Sequence, residues 1–433
     1  MAFGPMDTQR LGRFHAGVTV LAAGGMFING FELTVIAVAL PLVVPLWHVG
    51  AAMEGIVAAA ALAGALVGAL IAGPAADRFG RRPLFVAELA LLVGFSAATA
   101  LAQTPAQLAV YRFLLGLGIG ADYLIAPTLV SEFSPARQRG ALVTAVAGTW
   151  FVGSVFAYLA GFWMLPLGPS AWRWLMAVGG LLAPWVMLPR LRLPESPRWL
   201  AARGRGAEAA AVVERLTGER PAAAPPSRGR FRDLFGPDLI GPTVFVSTFW
   251  FCYDVAAYGI STYTPLLLRA FPGGSLAHAD LGAAAVGVTG IAGAALGLAL
   301  VDRWGRRPLI VSTFLVLSLS LLALSLAPSP AFAVLVVLFA VASLAATMGP
   351  GVVSLVYATE LFPSRLRGSA TGFATAVSRA GGILGIVVFP PLLAAWGLGP
   401  ALWLFTGASL VGLGVSVRMA PETRGRTLES IAG

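Results

Sequence analysis

The chain has 433 residues, 58% of them hydrophobic and only 11% charged, where a soluble globular protein carries about 25% charged residues. That deficit excludes an aqueous globular fold and makes lipid the solvent for most of the chain. The net charge of +10 raises a nucleic-acid partner, but the basic residues, all Arg, fall in the expected cytoplasmic loops except at Arg112, Arg173, Arg269 and Arg379, which is the positive-inside pattern of a membrane protein.

The first stretch, "MAFGPMDTQRLGRFHAG", enters a long apolar segment with no small-residue cleavage site, and reads as a retained signal anchor. A bilayer core needs roughly 20 apolar residues per helix. Segments of that kind run near 16–40, 53–76, 84–102, 107–131, 141–165 and 172–193. They resume near 239–268, 281–301, 308–327, 331–359, 368–394 and 400–419. The expected fold class is an all-α membrane protein with twelve transmembrane helices in two pseudo-symmetric six-helix bundles. The expected domains are 1–193 and 238–420, joined by a linker at 194–237 and followed by a tail at 421–433.

The linker is rich in Arg and Pro, with a short helix expected at 206–217 and a disordered middle in "RPAAAPPSRGRFRD". The loops near 41–52, 102–106, 327–330 and 395–399 carry no Arg. Those following even-numbered segments carry several, which predicts both termini on the cytoplasmic side of an inner membrane. The single cysteine, Cys252, excludes an intrachain disulfide and a cysteine metal cluster. The histidines His15, His48 and His278 are far apart in sequence, so neither a metal nor another cofactor is expected.

The sequence repeats itself. "DRFGRRP" at 77–83 returns as "DRWGRRP" at 302–308, "EFSPARQRG" at 132–140 as "ELFPSRLRG" at 360–368, and "PESPR" at 194 as "PETRG" at 421. Three motifs at nearly one spacing, 225 to 228 residues, indicate two homologous halves. Parallel halves of this kind hold a substrate between them near the midplane. Gly80 and Gly305 permit a tight turn, and Asp77 and Asp302 end their helices where they can face a neighbouring helix dipole. The arginines can pair with Glu132 and Glu360. Gly64, Gly68, Gly293 and Gly297 read as close helix packing, as does "GLGIG" at 116–120, which has no strand before it.

These motifs, in this order, resemble the major facilitator superfamily over essentially the whole chain. "YRFLLGLGIG" and "PESPRWL" are further similar to its sugar-porter and metabolite–proton symporter branches. The resemblance implies a transporter working by alternating access, a monomer in the bilayer with a small-molecule substrate and protons as partners, and no enzyme. It assigns gating to Asp77, Arg78, Gly80, Arg81, Glu132, Arg139, Asp302, Arg303, Gly305, Arg306, Glu360 and Arg367. The alternative for these loop residues is that they set topology alone.

Ionisable residues at bilayer depth are functional candidates by default. Glu32, Arg112, Asp122, Asp254 and Arg379 lie near the middle of their segments, with Glu54 and Glu88 nearer the faces. Counting rise per residue puts Glu32 and Arg112 at similar depth, roughly 10–12 Å below the outer ends of the first and fourth segments. In proton-coupled relatives resembling this chain, an acid of the first helix and the Arg of the fourth form the protonation pair, here Glu32 and Arg112, with Asp122 as a further proton-coupling candidate. A static buried ion pair is the other reading.

Trp250, Asp254 and Tyr258 share one face of the seventh segment, and the acid between the aromatics turns that face toward a cavity. Together with Asp122, Tyr123, Trp150 and Arg379 they form the candidate substrate site. The set resembles the phosphate–proton symporter branch, with Arg379 where that branch has Lys and Trp150 where it has an anion-binding Gln. Sugar porters carry Gln-Gln and Asn in the seventh helix, Gln in the fifth and Trp in the tenth; here stand "CYDVAAYG", Ala147 and Leu355. The leading expectation is proton-coupled symport of a small polar or anionic metabolite (an organic acid, phosphate-like or sugar-like solute). A drug or metabolite–proton antiporter is the alternative, although the fifth segment, "AGTWFVGSVFAYLAG", lacks the Pro of the antiporter pattern. A non-transporting nutrient sensor and a sugar transporter are further alternatives.

Overall fold

The computed structural model describes residues 6, 8–135, 138–219, 231–269, 275–327, 332–363 and 366–424. Among these the chain is helical, with no strand. Lipid offers no partner to a bare peptide group, so long apolar segments satisfy their N–H and C=O groups within helices. The first half contains α1 (Arg13–Leu46), α2 (Ala51–Phe79), α3 (Arg81–Ala100), α4 (Pro105–Phe133), α5 (Arg139–Met164) and α6 (Ala171–Arg190). Short helices α7 (Pro197–Ala202) and α8 (Gly206–Thr217) follow. The second half contains α9 (Ile240–Arg269), α10 (Leu276–Trp304), α11 (Arg306–Leu326), α12 (Phe332–Ala346), α13 (Val352–Glu360), α14 (Arg367–Trp396) and α15 (Leu398–Met419).

Among the described residues eleven helical stretches are long and apolar enough to cross a membrane; one of them, Ala141–Arg190, is 50 residues long. It contains both α5 and α6, which part at a 3-10 turn, Leu165–Ser170, where Gly168 takes φ 66°. Twelve crossings result, as the sequence predicts. The tenth is not one helix. α12 and α13 meet at a π turn, Thr347–Gly351, because the "GPG" at 349–351 lacks one backbone donor and its proline ring crowds the preceding turn. Hydropathy alone reads this crossing as a single span.

Within the first half α2 packs on α4, α1 on α5 and α3 on α6; within the second, α9 packs on α14, α11 on α15 and α10 on α12. The halves meet through α2 with α14, α10 with α5, and α1 with α9. The first two of these pairings are equivalent under exchange of the halves, so the packing obeys the repeat read in the sequence. Large apolar side chains such as Leu181, Trp185, Leu319 and Val337 point outward, the surface a bilayer covers.

In the linker, the helix expected at 206–217 is α8, while α7, begun by Ser196 accepting from the Trp199 N–H with Pro197 next in line, was not anticipated. Of the stretch expected to hold a disordered middle, 220–233, residues 220–230 lie outside the described residues, while 231–233 open a 3-10 turn, Phe231–Phe235.

Candidate functional site

Asp254 stands midway along α9 and Arg379 midway along α14, and close packing of these two helices brings them together. Gly381 and Gly385 make that approach possible, since a side chain at either would collide with the backbone of Phe251 or Val255. Arg379 Nη1 lies 2.9 Å from Asp254 Oδ2 and donates to Tyr258 Oη at 2.8 Å. Its guanidinium also sits 4.7 Å from the Tyr123 ring and 5.2 Å from the Tyr258 ring. Tyr123 belongs to the first half and Tyr258 to the second, so one cation is held between the halves. Trp150 meets Tyr258 edge-on at 6.2 Å, and its buried indole Nε1 has no hydrogen-bond partner among the described residues. Buried donors are rarely left unpaired, so this N–H is available to a bound solute. Trp250, a turn away on α9, is buried in the apolar core; among the described residues no hydrogen bond or ring pair joins it to this group.

Asp122 is elsewhere. The sequence reading grouped it with Arg379, but its side chain turns into the first half. Asn29 Nδ2 donates to Asp122 Oδ2 at 2.8 Å, and Arg190 Nη1 reaches Asp122 Oδ1 at 3.4 Å. The same Arg190 nitrogen pairs with Glu88 and donates to the Phe85 carbonyl at 2.7 Å. Asp122, Arg190 and Asn29 are fully buried. α1 fits against them only because residue 25 is glycine; a Cβ there would collide with the Arg190 guanidinium. Arg190, counted from sequence among the arginines of the loop face, is therefore an interior residue. The signal available was the pair of buried acids awaiting a counter-charge.

Glu32 and Arg112 do come together, though not as a direct ion pair. Arg112 Nη2 donates to the Glu32 backbone carbonyl at 2.8 Å, while Ser96 Oγ donates to Glu32 Oε1 at 2.5 Å. Glu32 Oε2 and Arg112 Nε are buried without hydrogen-bond partners among the described residues. Gly179 on α6 leaves the space that the carboxylate fills. Both side chains are fully buried, and their free atoms leave each able to change partner.

At the arginine-rich end, the repeated loops form clasps. Gly80 (φ 107°) and Gly305 (φ 96°) make the turns into α3 and α11. The N–H groups of Arg81 and Arg82 donate to Glu195, and those of Arg306 and Arg307 to Glu422. Helix starts carry free N–H groups and partial positive charge, so carboxylates fit there. Sequence reasoning gave that place to Asp77 and Asp302. Asp302 instead pairs with Arg306 at 2.9 Å, and the Asp77 side chain lies outside the description, as do those of Arg139 and Arg367. Partial burial opposes ionisation of Glu422, but the backbone N–H groups of Arg424, Arg306 and Arg307 outweigh it and hold the carboxyl below its ordinary range. Arg81 lies 3.8 Å from Glu132, and Arg306 2.7 Å from Glu360. Both pairs fall within one half. Arg78 and Arg303 are exposed, with Arg78 beside the Phe79 ring.

The opposite end is closed. Arg269 on α9 donates to the Pro41 carbonyl on α1 at 2.8 Å, and Tyr158 on α5 to the Ser261 carbonyl at 2.7 Å. Gly55 on α2 abuts the backbone of Val387 on α14.

A model of the family described as "Sugar (and other) transporter" matches residues 18–227 and 276–433. The chain belongs to this transporter family. A relative, the putative metabolite transport protein YaaU of Escherichia coli (strain K12), is 33% identical over 98% of this chain and 95% of its own length. The arabinose-proton symporter of Bacillus subtilis (strain 168) is 28% identical over 95% of this chain and 93% of its own. The crystal structure of a D-xylose-proton symporter superimposes with a TM-score of 0.78, covering 95% of this chain and 99% of the other at 24% identity. The fold is thus the major facilitator fold, and this family member is a multi-pass membrane protein.

Proposed function

We propose that this chain is a proton-coupled symporter of a small polar or anionic metabolite, working as a monomer by alternating access. The observation that carries the reading is the Asp254–Arg379 pair, buried between the halves among Tyr123, Tyr258 and Trp150. As a closed pair it is neutral. A proton on Asp254 would free the guanidinium, and an anionic group could then take the carboxylate's place. A bound proton and a bound anion would each favour the other, which is coupling through differential affinity.

Glu32, beside Arg112 but bonded to Ser96, is the second proton carrier in this reading. The two halves, 1–193 and 238–420, rock about this site, with the linker 194–237 and tail 421–433 on the arginine-rich face. By the positive-inside rule that face is cytoplasmic, and the membrane is an inner membrane, a reading supported by the name of one relative, the inner membrane metabolite transport protein YgcS of Escherichia coli (strain K12). Arg78, Arg81, Glu132, Asp302, Arg303, Arg306 and Glu360 brace the loops that part during gating, with Asp77, Arg139 and Arg367 assigned there by their motif positions.

The test is uptake and counterflow in proteoliposomes with phosphate, aromatic and aliphatic carboxylates, and pentoses and hexoses. Glu32→Gln should abolish accumulation driven by a pH gradient while leaving exchange at zero gradient. Asp254→Asn should weaken exchange itself. Unchanged gradient-driven accumulation in Glu32→Gln would rule out its proton role, and a neutral pentose as the best substrate would favour a sugar transporter, the reading suggested by the arabinose-proton symporter's name.

A further inference from the structure

Two carboxylates at the closed, arginine-poor end have no part in the chemistry above. Glu54 is on α2 and is 8% exposed; Asp280 is on α10 and is 2% exposed. They are 226 residues apart, within the spacing of the repeated motifs, so they hold equivalent places in the two halves. Their surroundings are equivalent too. Glu54 faces α14 and α9 across the junction of the halves, lining a cavity of about 150 Å³ with Tyr263, Leu266, Pro390 and Leu393. Asp280 faces α5 and α1 across the same junction, its Oδ2 3.0 Å from where a Gly161 Cβ would sit, with Val38 alongside.

Among the described residues neither has a cation. Glu54 Oε1 is buried and unpartnered. No hydrogen bond or ion pair to Asp280 occurs among the described residues. The titratable groups facing them are Tyr263 and Tyr158, whose hydroxyls are committed to the Ile386 and Ser261 carbonyls. Arg269, the cation joining α9 to α1 at this end, is committed to the Pro41 carbonyl, and His278 to Ser275. An ionised carboxylate closed into such a site without a counter-charge is strongly disfavoured. Glu54 lies in the first turn of α2, where the helix N-terminus favours its anion, but that attraction is smaller than the cost of burying an unpaired charge; Asp280 lies beyond the first turn of α10.

We propose that Glu54 and Asp280 are a symmetric pair of proton-binding sites that close the arginine-poor end, each taking up a proton as the halves meet and releasing it to that side as they part. Because the closed state binds more protons, falling pH on that side favours closure and rising pH favours opening. This rests on the alternating-access reading. It adds protons that never cross the membrane, distinct from those carried by Glu32 and Asp254.

The full chain in proteoliposomes, with Cys252→Ser and a reporter Val387→Cys facing Gly55, is labelled by an impermeant maleimide at varied outer pH and fixed inner pH. A second reporter, Leu355→Cys, near the arginine-rich end, is labelled from the other side. E54Q/D280N, which imitates the protonated pair, supplies the pH dependence of the thiol itself. Relative to that variant, labelling at 387 should rise with outer pH, by up to about tenfold per carboxyl per pH unit, while labelling at 355 falls. E54Q/D280N should stay closed at 387 and open at 355, a state that a misfolded variant would not show. If the reporters alternate but the wild type has the same slope as E54Q/D280N, the proposal is overturned and the transporter reading stands. If neither reporter responds to pH or to substrate, alternating access fails and the proposal falls with it.

Discussion

Arg190 serves two acids at once, Glu88 and Asp122, in a part of the first half with no access to water. Removing the guanidinium leaves buried charge uncompensated, which typically costs about 3–5 kcal/mol. Arg190→Met should therefore lower thermal stability sharply in detergent, and adding Glu88→Gln and Asp122→Asn should restore most of the loss. A melting temperature for Arg190→Met equal to wild type would show that the cluster carries no net charge interaction. This group was only half legible in the sequence. Asp122 stood out because it lies mid-segment, whereas Arg190 is the last residue of α6 and looked like a loop arginine. Side chains on a helix lean toward its N-terminus, and a long arginine leaning that way carries its charge several ångströms into the bundle. Depth counted from Cα positions misses this.

At the scale of the helix, glycine placement was easier to read than charge placement. The run at 116–120 lies against α2 and α3: a Cβ at Gly116 or Gly120 would collide with the Ala61 or Ala65 carbonyl, and one at Gly118 would crowd Glu88. Small residues at that spacing have few other uses in an apolar helix. The break between α12 and α13 was legible as "GPG" but hidden by uninterrupted hydropathy. The start of α11 was misassigned because two acids competed for it, and sequence does not say which one the tail brings back. Glu422→Ala should cost about 1–2 kcal/mol, as loss of a helix cap does, and Glu422→Gln should recover part of it by keeping one acceptor. Since this carboxyl sits below its ordinary range, the clasp's contribution is complete above that range. It is lost only as pH falls through the lower folded value. Glu422→Ala melting like wild type at neutral pH would remove the cap from the account.

For the molecule as a whole, the repeat made the architecture readable: two halves and twelve crossings follow from three motifs and one spacing, and the proposed site lies where the halves meet. The conformation did not follow, because no local pattern says which end is shut. Here Gly55 and Val387 touch across the junction. A side chain at 55 has no room against the Val387 backbone, so Gly55→Trp should keep this end from closing and stop uptake. Undiminished uptake in Gly55→Trp would mean that this end need not close during the cycle.

Glu195 and Glu422 say something about ancestry. Each lies just beyond the sixth crossing of its half and reaches back to the start of the third. The unit that was doubled was therefore not six helices alone but six helices with their own latch. A half is complete only after its acid, so its boundary belongs beyond residue 195 or 422. Shortening the tail to residue 420 would unfasten a helix that begins 116 residues before its latch, and any separately produced half has to keep its latch to begin its third helix where this structure does.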